Sequence, residues 1–178
     1  MYDIYKSARD MSWQCLIKCA VNELPVRPVA IAEHYGITCH PVSSEALQGV
    51  SGLLRTIEGK PRILIDSSHS RQRQRYTIAH ELGHYLLGHL DGVPASEERE
   101  YAAERFAADL LMPACVLWGL DVHTAEEIAE LCNVSMRAAQ IRAERMEVLY
   151  QRNKFLLHPL ERKVYAQFGD FIQNNKQC

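Results

Sequence analysis

The chain has 178 residues, of which 47% are hydrophobic and 24% charged, and this composition fits one globular domain with its own core. A net charge of −2 gives no general attraction to nucleic acid or anionic lipid, and no apolar run approaches the ~20 residues of a membrane span. The N-terminus lacks a basic start before an apolar stretch, so we expect no signal peptide and a cytosolic protein. Six cysteines without a CxxC pair predict reduced thiols.

The first part of the chain is predicted to contain two helices followed by three strands. Apolar residues at helical spacing predict a helix from Tyr2 to about Asn22, and "VAIAEHYG" predicts a short helix closed by Gly36. Three strand-like segments follow, "ITCHPV", "GLLRTIE" and "RILID". The Gly-Lys-Pro turn at 59–61 predicts that the last two strands form an antiparallel hairpin.

The middle of the chain is predicted to form two longer helices. A central helix spans about Gln72 to Leu90, and the segment "DGVPAS" is a loop. Ser96 is a suitable N-cap for the second helix, which runs to about Met112 and stops at Pro113.

The last part of the chain is predicted to be helical as well. After a short helical piece, Thr124 and Glu127 form a capping-box pattern that begins another helix. Ser135 caps a long helix that extends to about Asn153, and the tail from residue 168 is partly helical.

The central helix carries the pattern "HELGH" at residues 80–84. Four helical residues advance about 400°, so His80 and His84 lie on one face, one turn apart, and can bind one tetrahedral cation. Glu81 is rotated about 100° from His80, which places its carboxylate beside the cation as a general base toward water. Gly83 keeps one side of the helix free of a side chain, so that another element or a substrate backbone can approach.

His89 invites comparison with the longer HExxHxxGxxH zinc motif. Leu87 and Leu90 stand where that motif has its glycine and its third histidine, so we expect His89 to interact with terminal helix carbonyls. The apolar residues predicted to pack behind the histidine face are Ile78, Ala79, Leu82, Tyr85 and Leu86.

The second long helix contains the candidates for a third ligand. Glu97, Glu100 and Glu104 are spaced three and four residues apart along one face, and a carboxylate there would complete a His₂Glu site. Asp109 is either a hydrogen-bond partner of a ligating histidine or an exposed residue.

The segments "RYTIAHELGHYLLGH" and "EYAAERFAADLLMP" together resemble the ImmA/IrrE-type metallopeptidases, whose signature is HExxH followed by a helix reading E-x-x-A-N-x-F-A-x-x-L-L-M-P. The resemblance implies that His80 and His84 bind metal and that Glu81 is the general base. It also implies that Glu100 is the third ligand. This chain has Glu104 where the family has asparagine, so Glu104 remains an alternative ligand.

The two motifs cover residues 73–113, and the order of elements around them is also similar. We expect an α+β, mostly helical, zincin-like fold with a small antiparallel sheet flanking the HExxH helix and a C-terminal helical pair. The metallopeptidase core is predicted at 1–120, and a helical extension that packs on it at 121–178. The resemblance implies zinc and a protein substrate such as a helix-turn-helix repressor, and a His₂Glu set also accepts manganese.

An alternative function is suggested by "TAEEIAELCNVSMRAAQIRAERM", which has a helix-turn-helix pattern with Cys132 at the turn position where glycine is common. In that case the metal site would be structural and the segment would bind DNA or a protein. The residues that would begin the recognition helix are Ser135, Met136, Arg137 and Gln140. Residues 124–154 carry five acids and five bases, which argues against direct nucleic-acid binding and favours a pair packed on the core or docked to a partner.

Peptide hydrolysis also needs a donor for the oxyanion of the transition state. Tyr76 and His89 are both candidates, and no pattern selects between them.

Overall fold

The structure is a computed structural model that describes residues 2–89 and 96–176, with side chains from residue 6 onward. Most of the predicted loop "DGVPAS" and Cys178 lie outside the described residues. The chain divides into two compact units. One consists of Arg27–Ala107 with the N-terminal residues up to Met11, and the other of Ser12–Val26 with the chain from Ala108 onward. The domain boundary at residue 120 stays a prediction.

The predicted α+β, mostly helical fold is confirmed. In chain order the elements are α1 (Tyr2–Lys18), α2 (Pro28–His34), β1 (Thr38–Val42), a 3₁₀ turn (Ser44–Leu47), β2 (Gly52–Ile57), β3 (Lys60–Asp66), α3 (Arg71–Leu86), α4 (Glu97–Leu111), α5 (Ala114–Gly119), α6 (Ala125–Cys132), α7 (Met136–Arg152), α8 (Pro159–Gln167) and α9 (Gly169–Asn175). The boundaries between the two units fall within α1 and α4 and after Val26. In the part of the chain that the structure describes, no helix is long and apolar enough to cross a membrane.

The small sheet of the first unit is mixed, whereas the sequence predicts an antiparallel one. Its order is β1-β3-β2, with β2 antiparallel and β1 parallel to the central strand β3. The central strand β3 is the most buried of the three, and it contains the buried residues Ile63 and Ile65. Pro41 lies in β1, at an edge, where a missing backbone N–H is tolerated.

The hairpin between β2 and β3 is confirmed, but its turn lies one residue earlier than predicted. Glu58 and Gly59 both have positive φ values, of 53° and 73°, which is the backbone of a two-residue type I′ turn. Pro61 is therefore part of β3, where it pairs with Thr56.

Helix α3 packs closely on this sheet. A Cβ on Gly52 of β2 would collide with Cγ2 of Thr77 in α3 and would lie 3.0 Å from the carbonyl oxygen of Leu64. Behind the histidine face, Ile78, Ala79 and Leu82 are buried as predicted, whereas Tyr85 is 39% exposed. Gly52 thus lets α3 approach the edge strand β2.

The second unit contains the capped helices that the sequence predicts. The Thr124 hydroxyl and the Glu127 carboxylate form the reciprocal capping box at the start of α6. The hydroxyl of Ser135 accepts a hydrogen bond from the amide of Ala138 at the start of α7. Between them the left-handed residue is Asn133, with φ of 50°, while Cys132 is fully buried. The turn of the helix-turn-helix-like segment therefore depends on asparagine.

Asp109 belongs to the second unit, where its carboxylate is in a buried ion pair. Nη2 of Arg142 donates to Oδ1 of Asp109 at 2.8 Å and to the carbonyl oxygen of Ala108 at 2.7 Å. A buried guanidinium is stabilised only when carboxylate and carbonyl acceptors surround it. This contact accounts for the acidic side chain at position 109 without a metal.

Candidate metal centre

Three side chains from α3 and α4, all in the first unit, converge on one point. Nε2 of His80 lies 3.1 Å from Nε2 of His84 and 3.3 Å from Oε2 of Glu100. Nε2 of His84 lies 3.5 Å from Oε1 of Glu100. Among the described residues, these three form the group of histidine, cysteine and acidic side chains that is arranged to hold a metal ion.

The spacing of these atoms fits a zinc ion. Ligands about 2.0–2.1 Å from a tetrahedral centre lie about 3.3–3.4 Å from one another. The three separations, from 3.1 to 3.5 Å, bracket that value. The residues present therefore match the donor set and the size of a His₂Glu zinc site.

A close approach between α3 and α4 brings Glu100 within reach of the histidines. A Cβ on Gly83 would lie 3.1 Å from Cα of Ala103 and 3.2 Å from its carbonyl oxygen. Ala103 follows Glu100 by three residues on α4, so the helix contact and the carboxylate lie on neighbouring turns. The glycine inside "HELGH" therefore accommodates the helix that carries the third candidate ligand.

We expect Gly83→Ala to weaken zinc binding because its methyl group pushes α4 away from α3. The clash is with backbone atoms and with Cδ1 of Phe106 at 3.0 Å, so the overpacking cost of about 1–3 kcal/mol exceeds the ~1 kcal/mol gained in helix propensity. Zinc affinity measured by chelator competition, together with urea unfolding of the metal-free protein, tests this expectation.

Gly169→Ala is the matched control, because a Cβ at Gly169, at the start of α9, meets no atom within 4 Å apart from its chain neighbours and its own helix backbone. We expect this variant to bind zinc as the wild type does and to be at least as stable. Equal zinc affinity in both alanine variants would contradict the role given to Gly83.

The candidate ligands are in a partly dry environment. Burial is the main cause that lowers the pKa of His80, and Glu100 opposes it. Burial and the neighbouring His80 lower the pKa of His84 in the same way. Neutral imidazoles keep the lone pair that metal binding requires, so this environment favours the ligating form.

Glu81 lies beside the cluster and is held by the edge strand. The amide of Leu54 in β2 donates a hydrogen bond of 2.9 Å to Oε2 of Glu81. Burial raises the pKa of Glu81 to about 7, and the negative charge of Glu100 adds to this effect, whereas the hydrogen bond from Leu54 opposes it. A carboxyl group with a pKa near neutrality is suited to exchange protons at physiological pH.

The raised pKa of Glu81 predicts a pH dependence of stability in the metal-free protein. The folded state holds this proton up to about pH 7, whereas the unfolded chain releases it near the ordinary value of 4.5. Stability relative to Glu81→Gln should therefore fall as pH rises from about 4.5 to 7 and stay constant above that range. Urea unfolding of both proteins with a chelator, from pH 5 to pH 8, measures the difference; parallel pH profiles would contradict it.

Tyr76 and Glu104 lie next to the cluster without belonging to it. The ring of Tyr76 is stacked over that of His80, with centroids 6.3 Å apart. Burial raises the pKa of Tyr76 to about 12, and the charge of Glu104 adds to the effect. The exposed Glu104 thus acts electrostatically on Tyr76, and its role as an alternative ligand stays a prediction.

The side chain of His89 is not where the sequence predicts it. The sequence predicts that the His89 imidazole lies near the terminal carbonyls of the helix. In the structure, Nδ1 of His89 lies 2.9 Å from Nδ1 of His84. Helix α3 ends at Leu86, four residues earlier than predicted, because Gly88 takes a left-handed φ of +72°. The early end of the helix allows His89 to fold back onto His84.

Two contacts of the site do not follow from the sequence, namely that of Leu54 with Glu81 and that of the His89 imidazole with His84. The Leu54 contact is made by a backbone amide, which leaves no trace in side-chain type. Glycine at position 88 was the available signal for the position of His89, because glycine commonly occupies the left-handed residue after a helix.

Two histidines and a glutamate from two helices, with a second glutamate beside them, have the composition of a metallopeptidase centre. Residues 32–144 match the family model of the IrrE N-terminal-like domain, peptidase family M78. The match covers more than half of the chain, so the protein belongs to this family, and the predicted family is confirmed. A search of curated proteins found no match to this chain.

Proposed function

We propose that the protein is a cytosolic, zinc-dependent metallopeptidase that hydrolyses a peptide bond in a protein substrate. The observation that carries this proposal is the convergence of His80, His84 and Glu100 to within 3.5 Å, with the partly buried Glu81 carboxyl beside them. Family membership supports the same class of activity.

The chain would hold zinc through Nε2 of both histidines and a carboxylate oxygen of Glu100. When bound, zinc supplies a Lewis acid that polarises the substrate carbonyl and makes water more acidic. Glu100 contributes negative charge, which offsets part of the charge of the cation. Side chains of α3 and α4 thus provide a donor set that matches zinc in type and spacing.

Glu81 is the general base and then the general acid. Its carboxylate takes a proton from the attacking water as the oxygen adds to the scissile carbonyl carbon. The same proton passes to the amide nitrogen as the C–N bond breaks, which releases a carboxylic acid and an amine. The acid then gives its remaining proton to the amine, so that the products are a carboxylate and an ammonium group. The hydrogen bond from Leu54 positions the carboxylate for both steps.

Tyr76 is our candidate for the donor to the carbonyl oxygen as that atom acquires negative charge. Its ring lies against His80, and in the part of the chain that the structure describes its hydroxyl makes no hydrogen bond. Nδ1 of His89, the other candidate, faces His84. Nε2 of His89 can also donate, and we favour Tyr76 because its hydroxyl has no other partner among the described residues.

The edge strand β2 is suited to align an extended substrate. β2 is at the end of the sheet order, and its Leu54 amide points toward Glu81 instead of β3. A peptide that pairs with this edge would have its main chain held beside the general base. The substrate we favour is a helix-turn-helix repressor with an extended segment between its domains.

The proposal is tested by metal content and cleavage in wild type and His84→Ala. We expect one zinc per wild-type chain, loss of zinc in the variant, and cleavage of a proteome-derived peptide library by the wild type alone. Reconstitution of the metal-free protein with Mn²⁺ compares the two ions. A wild-type protein that binds neither ion, or that cleaves equally well without metal, would overturn the proposal.

A second assay tests the substrate class. The wild type is incubated with the helix-turn-helix repressor encoded nearest to its gene, and cleavage is followed by mass spectrometry. We expect a single cut between the DNA-binding and C-terminal parts of the repressor. Library cleavage without repressor cleavage would keep the peptidase and reject this substrate.

A further inference from the structure

The end of α3 places a further histidine against a candidate ligand. The amide of His89 donates to the carbonyl oxygen of His84 at 2.9 Å, and the amide of Gly88 donates to that of Tyr85 at 3.2 Å. With the left-handed Gly88, these two bonds define a Schellman turn.

In a Schellman turn, the residue after the glycine usually makes an apolar contact with the helix residue five positions earlier. Here those two residues are His89 and His84, whose ring centroids are 5.1 Å apart. The apolar contact is therefore replaced by a polar one, between nitrogen atoms 2.9 Å apart. The polar contact needs an explanation, because an apolar residue at position 89 would end the helix equally well.

The proton positions supply that explanation. A neutral imidazole has one N–H, so a histidine that binds a cation through Nε2 carries its proton on Nδ1. Nε2 of His84 faces His80 and Glu100, so its Nδ1–H needs an acceptor on the other side of the ring. Nδ1 of His89 occupies the position of that acceptor.

We propose that His89 is a positioning residue of the metal centre, which accepts a hydrogen bond from Nδ1–H of His84 and so directs the Nε2 lone pair of His84 at the cation. The inference rests on the metal centre of the proposed function. His80 has no equivalent support, because its Nδ1 is buried without a hydrogen bond to any residue the structure describes. His84 is thus the ligand whose ring orientation is set in advance.

The test compares the zinc affinities of His89→Leu, His89→Asn and wild type by chelator competition, with Zn²⁺ as the only ligand. Leucine keeps the apolar contact of the turn but cannot accept a hydrogen bond, so affinity should fall on the order of 10–100-fold. Asparagine has an acceptor oxygen the same number of bonds from Cα as Nδ1, so it should restore most of the affinity. Urea unfolding of the metal-free variants shows whether the turn is intact.

Gly88→Ala tests whether the backbone turn at Gly88 is needed to place His89 against His84. A φ of +72° strains alanine, so the turn should open and zinc affinity should fall in the same direction as in His89→Leu. Gly59→Ala is the matched control, since Gly59 has a nearly equal φ of +73° and equally open space in the β2–β3 turn. Its zinc affinity should equal that of wild type.

Nitrogen-15 NMR of the zinc-loaded protein gives a readout that a merely structural role would not change. We expect the His84 imidazole to show a metal-bound Nε2 and a slowly exchanging Nδ1 proton, which exchanges fast in His89→Leu. Equal zinc affinity and an unchanged Nδ1 proton in His89→Leu would overturn this inference alone. A wild type that binds no zinc would overturn the proposed function as well.

Discussion

Replacing Glu81 with glutamine lowers peptide cleavage by about 10²–10⁴-fold and leaves zinc binding intact, which is the first result we expect. The amide cannot take a proton from water, yet it has almost the same size and can still accept the hydrogen bond from Leu54. Cleavage rates on the best library peptide, measured together with zinc content, test this expectation.

The zinc content distinguishes a loss of proton transfer from a loss of the metal site. Loss of cleavage with one zinc per chain assigns Glu81 to proton transfer. Full cleavage by Glu81→Gln would refute the general-base role and would favour a structural metal site.

The second large effect concerns the two glutamates of α4. Loss of a residue that hydrogen-bonds to a metal ligand typically weakens metal binding 10–100-fold. We expect Glu100→Gln to weaken zinc binding by more than this, because it replaces a negatively charged ligand with a neutral one. Cleavage at limiting zinc should fall in parallel. Isothermal titration or chelator competition measures the affinity.

Glu104→Gln is the matched control, since it makes the same change one helical turn away. Glu104 is exposed and outside the candidate ligand group, so its affinity for zinc should stay within a factor of about three of wild type. The opposite ranking of the two variants would make Glu104 the ligand, which is the alternative that its place in the family motif leaves open.

Much of the candidate site follows from the sequence because it is local. The four-residue spacing of His80 and His84 determines that they share a helix face, and the capping signals at Ser96 and Thr124 mark helix starts that the structure contains. Glu100 could be chosen only with the family motif, because helical spacing alone allows three glutamates on that face.

The rest depends on contacts that a one-dimensional pattern does not contain. The parallel pairing of β1 with β3 is decided by which strand is buried in the centre, and sequence order alone favours a simple meander. The sequence predicts a later end for α3 because Leu87 and Leu90 continue the apolar period, whereas in the structure the left-handed Gly88 ends the helix. Helix α8, at Pro159–Gln167, was not predicted.

The structure also bears on the alternative function of the C-terminal helices. α6 and α7 form the helix pair expected from the sequence, with Met136 and Gln140 exposed at the start of α7. Arg142 is only 2% exposed because it pairs with Asp109, so one of the five bases in this segment is withdrawn from the surface. DNA binding stays a prediction, and the charge balance argues further against it.

All three candidate ligands lie within about twenty consecutive residues, so bringing them together costs little chain entropy. A cation bound by this short stretch would hold α3 and α4 together early in folding, before contacts between distant parts of the chain have formed. Zinc supply would then determine how fast a newly made chain matures, as well as whether the mature protein works.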